Sequence, residues 1–298
     1  LSANGMGEFL LKAINFNAGP KNKFNMDEFA YGDMTFPPLS ALLNLEAAQK
    51  ANDIVAMMKA IPTLGYFTMK GISGVIPDQG SVSLEEFTTK MANFIGPIPT
   101  KIEAIIKNAK IPVDQLDAKQ RAPLQAMGFS EVDVSFNLNA DWSETTNVLS
   151  LQSGMEIVDG GLLDASLAIG SIPRDVFENP LAAQGIVAFV TFDKANITFD
   201  DRSIVERGMT LAGAAQGLDA ETMKAQALGI LPIVLQKLEQ PAFVNELVAS
   251  VKTLLDTKGK ITATATPPAP VLILQLMGAG ASAPGAVIEL LNVNVSAQ

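Results

Sequence analysis

The chain has 298 residues, a formal charge of −10 and 48% hydrophobic residues, a balance that fits a large folded core and not a disordered chain. The acidic excess repels phosphate backbones and argues against nucleic acid as a partner. With no Cys and no His, thiol nucleophiles, imidazole bases, disulfides and nearly all zinc, copper and haem ligation are excluded, so the sequence calls for no cofactor and no metal.

A chain that opens on Leu1 instead of Met is expected to have lost a leader, an anchor or an upstream region, or to start at a cloning boundary. Phe9 to Phe16 and Phe24 to Tyr31 read as two strands joined by a turn at Gly19, Pro20, Lys21 and Asn22. Phe36, Pro37 and Pro38 end that hairpin. The stripe of Leu43, Ala47, Ile54, Met57, Met58 and Ile61 then predicts a helix from Leu39 to Ile61, stopped by Pro62 and Gly65. A second alternating segment, Tyr66 to Val75, turns at Pro77, Asp78, Gln79 and Gly80. Ser83-Leu84-Glu85-Glu86 has the form of a capping box, which predicts a helix with Phe87, Met91 and Phe94 on one side.

These two passages resemble each other. Phe9, Lys12, Ile14, Met26, Glu28 and Phe29 match Phe67, Lys70, Ile72, Leu84, Glu86 and Phe87 at a constant offset of 58 residues, which predicts a duplicated hairpin and helix over 9–62 and 67–110. Pro97 and Pro99 break the chain. Thr100-Lys101-Ile102-Glu103 is another capping box, predicting a short helix through Ile106, and Asp114 to Met127 is predicted helical with Gly128 as its cap.

From Val132 to Ile172 apolar and polar residues alternate with a period of two. Val132, Val134, Phe136, Leu138, Ala140 and Trp142 point one way and Asp133, Ser135, Asn137, Asn139 and Asp141 the other. After the polar turn from Ser143 to Asn147, Leu149, Leu151, Met155 and Ile157 share a side. Asp159-Gly160-Gly161 turns the chain again, and Leu163, Ala165, Leu167 and Ile169 follow. This is a three-stranded antiparallel meander.

A short helix near Asp175 to Ala183 leads to Ile186 to Phe199, a strand or bent strand pair. Ser203 to Glu206 is a third capping box, opening a helical subregion over 203–256 in which Gly229 and Pro232 interrupt one helix and Pro241 starts another. Ile261 to Thr266 alternates as a strand, two short helices flank the small residues from Gly278 to Ala283, and Val293 to Ala297 is a last strand. The uncharged run from Ile261 to Ile288 is longer than the ~20 residues a bilayer needs, but its prolines would leave backbone groups unsatisfied in lipid. No transmembrane span is predicted.

The acidic pairs Glu85-Glu86 and Asp200-Asp201 could serve paired-carboxylate hydrolysis, but each falls at a predicted helix start, where carboxylates cap free N–H groups. Asp193, Asn196, Thr198, Asp200 and Asp201 supply oxygen ligands without the spacing or the Gly of a calcium loop. Gly278-Ala279-Gly280 lacks the third glycine of a dinucleotide site, and Lys12 and Lys70 are expected to be exposed strand lysines. Methionines such as Met57, Met58, Met91, Met155 and Met277 suit either irregular packing or a variable hydrophobic ligand.

The block from Met127 to Pro173, with its small turn, alternating strand, polar loop, second strand and Asp-Gly turn, resembles a pattern of Gram-negative envelope proteins of the AsmA-like and YdgA-like type. The passages Phe9 to Phe29 and Phe67 to Phe87 are similar to the strand-turn-strand units those proteins repeat. The resemblance implies an extracytoplasmic, periplasmic protein with a removed leader or anchor, a curved sheet, and a role in handling lipid or maintaining the envelope. It carries over no functional residue.

The sequence therefore predicts a single α+β domain over 1–298, with a mostly antiparallel, curved sheet of hairpins and a central meander packed against helices. The expected function is non-enzymatic binding of a lipid or acyl chain, or a part in envelope maintenance with a protein partner there. The candidate ligand-binding face is Val134, Phe136, Leu138, Trp142, Leu149, Leu151, Met155, Leu163 and Leu167. Two alternatives stand beside it: an interaction or scaffold domain whose sheet is closed by its own helices, and a carboxylate-dependent hydrolase.

Overall fold

The first hairpin pairs β1 (Gly5–Asn17) with β2 (Lys23–Thr35), so that Phe9 faces Tyr31 and Lys12 faces Glu28. The computed structural model describes residues 5–17, 19, 23–76, 80–179, 181 and 183–298. The predicted turn residues Pro20, Lys21 and Asn22, and likewise Pro77, Asp78 and Gln79, lie outside the described residues.

The single helix predicted from Leu39 to Ile61 is three short ones: α1 (Leu39–Leu43), α2 (Leu45–Ala51) and α3 (Ile54–Met58). Asn44 and Asn52 make the breaks. Asn52 takes the left-handed conformation (φ 54°), which asparagine tolerates, and Asp53 restarts the chain by accepting the Ala56 N–H at 2.9 Å.

The next segments correct the sequence reading. β3 (Tyr66–Ile76) is followed by strands where helices were predicted, β4 (Gly80–Ile95) and β5 (Ile98–Pro112). The helix predicted for the second unit is thus absent, and the positions matched at the offset of 58 residues fall in the two hairpins. The cause lies in one row of the sheet, where Ala13, Asp27, Gly71, Glu85 and Asn108 line up. Ala13, Gly71 and Asn108 have φ of 52°, 60° and 46°. Each kink dislocates the period of two, so that Leu84 and Phe87, three residues apart, both reach the same face through Ala109 and Ile106. A kinked strand thus copies helical spacing. Gly71 is needed at its kink because the Asp27 carboxylate occupies the space a Cβ would fill.

A single turn at Val113–Gln115 and α4 (Ala118–Ala126), capped by the Asp117 carboxylate on the Lys119 and Gln120 N–H groups, lead to the meander. The meander is β6 (Glu131–Ser143), β7 (Val148–Ile157) and β8 (Gly161–Gly170), and its registers place the predicted apolar residues of all three strands on one face. Two short helices, α5 (Asp175–Glu178) and α6 (Ala183–Ile186), precede β9 (Thr191–Asp201).

The helical subregion consists of α7 (Ile204–Ala214), α8 (Ala220–Leu235) and α9 (Pro241–Thr257). Gly229 and Pro232 do not interrupt α8, which runs through both; Pro232 lacks the N–H that would bond the Leu228 carbonyl, and the helix ends three residues later. The capping box at Ser203 does not form. Instead Asp201 accepts the Val205 N–H at 3.1 Å, while Glu206 pairs with Lys258. The chain ends with β10 (Lys260–Ala265), β11 (Val271–Leu272), α10 (Ile273–Ser282), α11 (Pro284–Leu290) and β12 (Val293–Ala297).

Among the described residues the strands form one open, twelve-stranded antiparallel sheet, running in chain order from β1 to β10 and closing with β12, while β11 pairs with β9. Strands from both ends of the chain share it. No helix among the described residues is long and apolar enough to cross a membrane.

Candidate functional site

Residues directly opposite each other in antiparallel strands point to the same face, so the registers assign every strand residue to one side of the sheet. One side is apolar almost throughout. Phe87, Ile106, Phe136, Met155, Leu163, Phe199 and Ile261 form one row across seven strands. Ile102, Ala140, Leu151, Leu167, Ala195 and Ala265 form another, and Trp142, Leu149 and Ile169 a third near the strand ends. Val134 lies opposite both Ala109 and Ile157. All nine predicted face residues are thus on one side.

The aromatic residues of the two hairpins continue this face toward β1. Phe9 stacks on Tyr31 at 5.0 Å, Phe29 meets Phe67 edge-on at 5.4 Å, and Phe67 meets Phe87 at 5.9 Å. The repeat-equivalent positions Phe9, Phe29, Phe67 and Phe87 therefore lie side by side. Such pairs contribute about 0.5–1.5 kcal/mol each beyond their buried area. The sequence marked these positions through the offset of 58 residues; it did not show that they extend the face of the meander.

Coverage of the face is uneven. Trp142 is closed off: it is 5% exposed, its ring lies 4.6 Å from Phe177 of α5, and its indole N–H donates to the Ile172 carbonyl at 2.9 Å. At the far edge α9 packs on β12 and β10. Val295, Leu254 and Val244 are buried there, and the Ser250 hydroxyl donates to the Val295 carbonyl. Between these two ends the side chains are only partly covered. Phe136, Leu138, Leu149, Leu151, Leu163 and Leu167 are half-buried, Met155 is 40% exposed and Ile197 50%. Flanked on all sides by neighbouring strands, residues in a second buried layer would retain almost no surface. The helices of 204–257 thus cover one end of the face and leave its middle open.

The reverse side is polar and pairs its own charges. Lys12, Glu28, Lys70, Glu86 and Lys107 form one row across β1 to β5, with Lys70 3.1 Å from Glu28 and Lys107 3.0 Å from Glu86. A hydrogen bond from the Thr88 hydroxyl, and then Lys107, hold the Glu86 carboxyl below its usual range. Farther along, Lys110 lies 3.0 Å from the buried Asp133, whose other oxygen has no hydrogen-bond partner among the described residues. At the strand end opposite that row, Tyr66 donates to Glu8 at 2.7 Å, and this hydrogen bond pushes its phenol up to about 12.

The two acidic pairs do different things. Glu85 and Glu86 lie in the middle of β4 and not at a helix start, between Leu84 and Phe87, where the alternation is reset. Asp201 caps α7 as predicted, buried at 3% exposure. A hydrolytic acid needs a carboxyl held protonated, whereas Glu86, Glu206, Asp219 and Asp256 are all held low by hydrogen bonds to Thr88, Lys258, Thr222 and Lys224 respectively. In the run considered for calcium, Asp193 accepts the Thr191 hydroxyl, and no group of three acidic residues suited to a metal ion occurs among the described residues. Besides the sheet face, a crevice of about 490 Å³ lies where Phe36, Pro38, Met58 and Ile61 meet the turn at Gly96 and Pro97.

One family model matches residues 154–298, from within β7 to β12; its description is "Uncharacterized protein", and it assigns no activity. No curated protein matched the chain.

Proposed function

We propose that the open part of the apolar sheet face binds the hydrocarbon portion of a lipid or acyl chain, and that the protein works outside the cytoplasm, in the cell envelope. The observation that carries this reading is the partial exposure of a continuous apolar row, Phe136, Met155, Leu163 and Phe199, in a sheet whose other side is mostly polar. An apolar surface of this extent is costly to leave in water, and contiguous exposed patches of this kind mark binding sites. Each ~100 Å² of apolar surface removed from water contributes about 2.5 kcal/mol before the entropy of association is subtracted. The polar side, with its lysine and carboxylate pairs, stays solvated.

The envelope setting follows the resemblance of Met127 to Pro173 to AsmA-like and YdgA-like proteins. The test is lipid extraction and native mass spectrometry of the purified protein, followed by titration with a fluorescent fatty acid. Leu151 and Leu167 face each other across β7 and β8, so Leu151→Glu with Leu167→Glu is expected to abolish probe binding. Protein free of lipid and unable to bind the probe would refute the proposal.

A further inference from the structure

The outer strand β1 has β2 on one side and no neighbouring strand among the described residues on the other. It has 13 residues, no Pro, and exposes Phe9, Leu10 and Leu11 by 37%, 40% and 44%. An edge of this length and apolarity is a template for pairing with another strand unless something blocks it.

The inner strands show what such a partner carries. At each interface from β1 to β4 a lysine faces a glutamate that is followed by phenylalanine: Glu28-Phe29 lies between Lys12 and Lys70, and Glu86-Phe87 between Lys70 and Lys107. Glu28 makes its ion pair with Lys70, and among the described residues Lys12 makes none. The row therefore ends on an unpaired cation at the sheet edge. A strand that continued the pattern would place Glu opposite Lys12 and Phe opposite Leu11.

β1 itself carries that sequence, Glu8-Phe9. We propose that two copies of the chain associate through their β1 strands, antiparallel, about a twofold axis at Leu10. In this register Glu8 of each copy faces Lys12 of the other, and Phe9 faces Leu11, repeating the rung that Glu28 and Phe29 make against Lys12 and Leu11 within one chain. Leu10 faces its own counterpart. This also accounts for Leu10, an exposed apolar residue that shares the polar side with Lys12. Shifting the twofold axis by one residue along β1 sets Glu8 or Lys12 against Leu10. Opposite residues of the two strands share a face, so the association joins the two apolar faces into one surface. It does not depend on whether that surface binds an acyl chain.

Light scattering during size exclusion tests the stoichiometry: the 31.4 kDa chain is expected to run at twice that mass at micromolar concentration. The absence of cysteine allows a clean cross-link. Opposed Cα atoms in an antiparallel pair lie roughly 4.5–5.5 Å apart, within disulfide range, so Leu10→Cys is expected to give a covalent dimer on mild oxidation, and Asn294→Cys on the opposite edge is not. Glu8→Lys and Lys12→Glu should each weaken dimerisation roughly tenfold, and mixing the two variants should restore it, because all four facing charges then become complementary. Restoration on mixing also shows that each variant is folded. A monomer at micromolar concentration, a dimer that Leu10→Cys fails to cross-link, or no rescue on mixing each overturns the proposal.

Discussion

Replacing Met155 and Val295 by lysine, one at a time, measures directly how much of the apolar face is open. Both residues point to that face, but Met155 is 40% exposed and Val295 is 4% exposed beneath α9. Full burial of a methionine is worth about 1.5–3 kcal/mol. With two-fifths of that surface already in water, Met155→Lys has at most roughly 1–2 kcal/mol to lose. A lysine stem also lies along Phe136 and Leu163 while its ammonium reaches water, which reduces the loss further. At Val295 the ammonium would be trapped between sheet and helix, at a cost of about 3 kcal/mol or more, or α9 would detach. Urea unfolding followed by far-ultraviolet circular dichroism reads both effects as a shift in midpoint at constant slope. If Met155→Lys destabilises as strongly as Val295→Lys, a second layer covers the middle of the sheet and the reasoning from exposure is wrong. If the two separate as expected, Met155→Lys is also a well-folded variant in which loss of fatty-acid binding reports on the face itself.

Two further outcomes follow from particular contacts. Trp142→Phe removes the donor to the Ile172 carbonyl and should cost about 1–3 kcal/mol, whereas Trp142→Ala also empties the contact with Phe177 and should cost about 3–5 kcal/mol; urea unfolding by circular dichroism distinguishes them. Glu86 has a folded-state pKa below its usual 4.5, so its stabilising contribution is present above the unfolded-state value and is lost as pH falls through the folded one. Glu86→Gln should therefore flatten the acid limb of stability against pH, and an unchanged limb would show that the pairs with Thr88 and Lys107 contribute nothing.

The meander was legible because its register needs no long-range information. Strict alternation from Val132 to Trp142, turn residues at Asn147 and Asp159, and a third alternating run together fix which side chains share a face. The same rule failed at β4 and β5, where the left-handed residues Gly71 and Asn108 and their partner Glu85 reset the alternation. There Leu84, Phe87, Met91 and Phe94 take on the spacing of a helix. Capping-box patterns at Ser83 and Thr100 reinforced the error, since four residues cannot report that both strand edges already have hydrogen-bonding partners. The offset of 58 residues was visible in the sequence, and the shared kink at Ala13 and Gly71 gives it a physical basis in the two hairpins.

The sequence by itself determined the two chemical faces of the meander: the period of two places apolar and polar side chains on opposite sides whatever packs against them, and the absence of His and Cys removes imidazole and thiol chemistry. Only the tertiary structure decided how far the apolar face extends and what covers it. The extent depends on rows such as Phe87 to Ile261, set by pairing between residues far apart in the chain. Coverage depends on where α5 and α9 come to rest, over Trp142 and Val295 and not over Met155. Amphipathic helices carry an apolar stripe wherever they dock, so their pattern cannot name the strand they cover; the geometry of the chain between helix and sheet does.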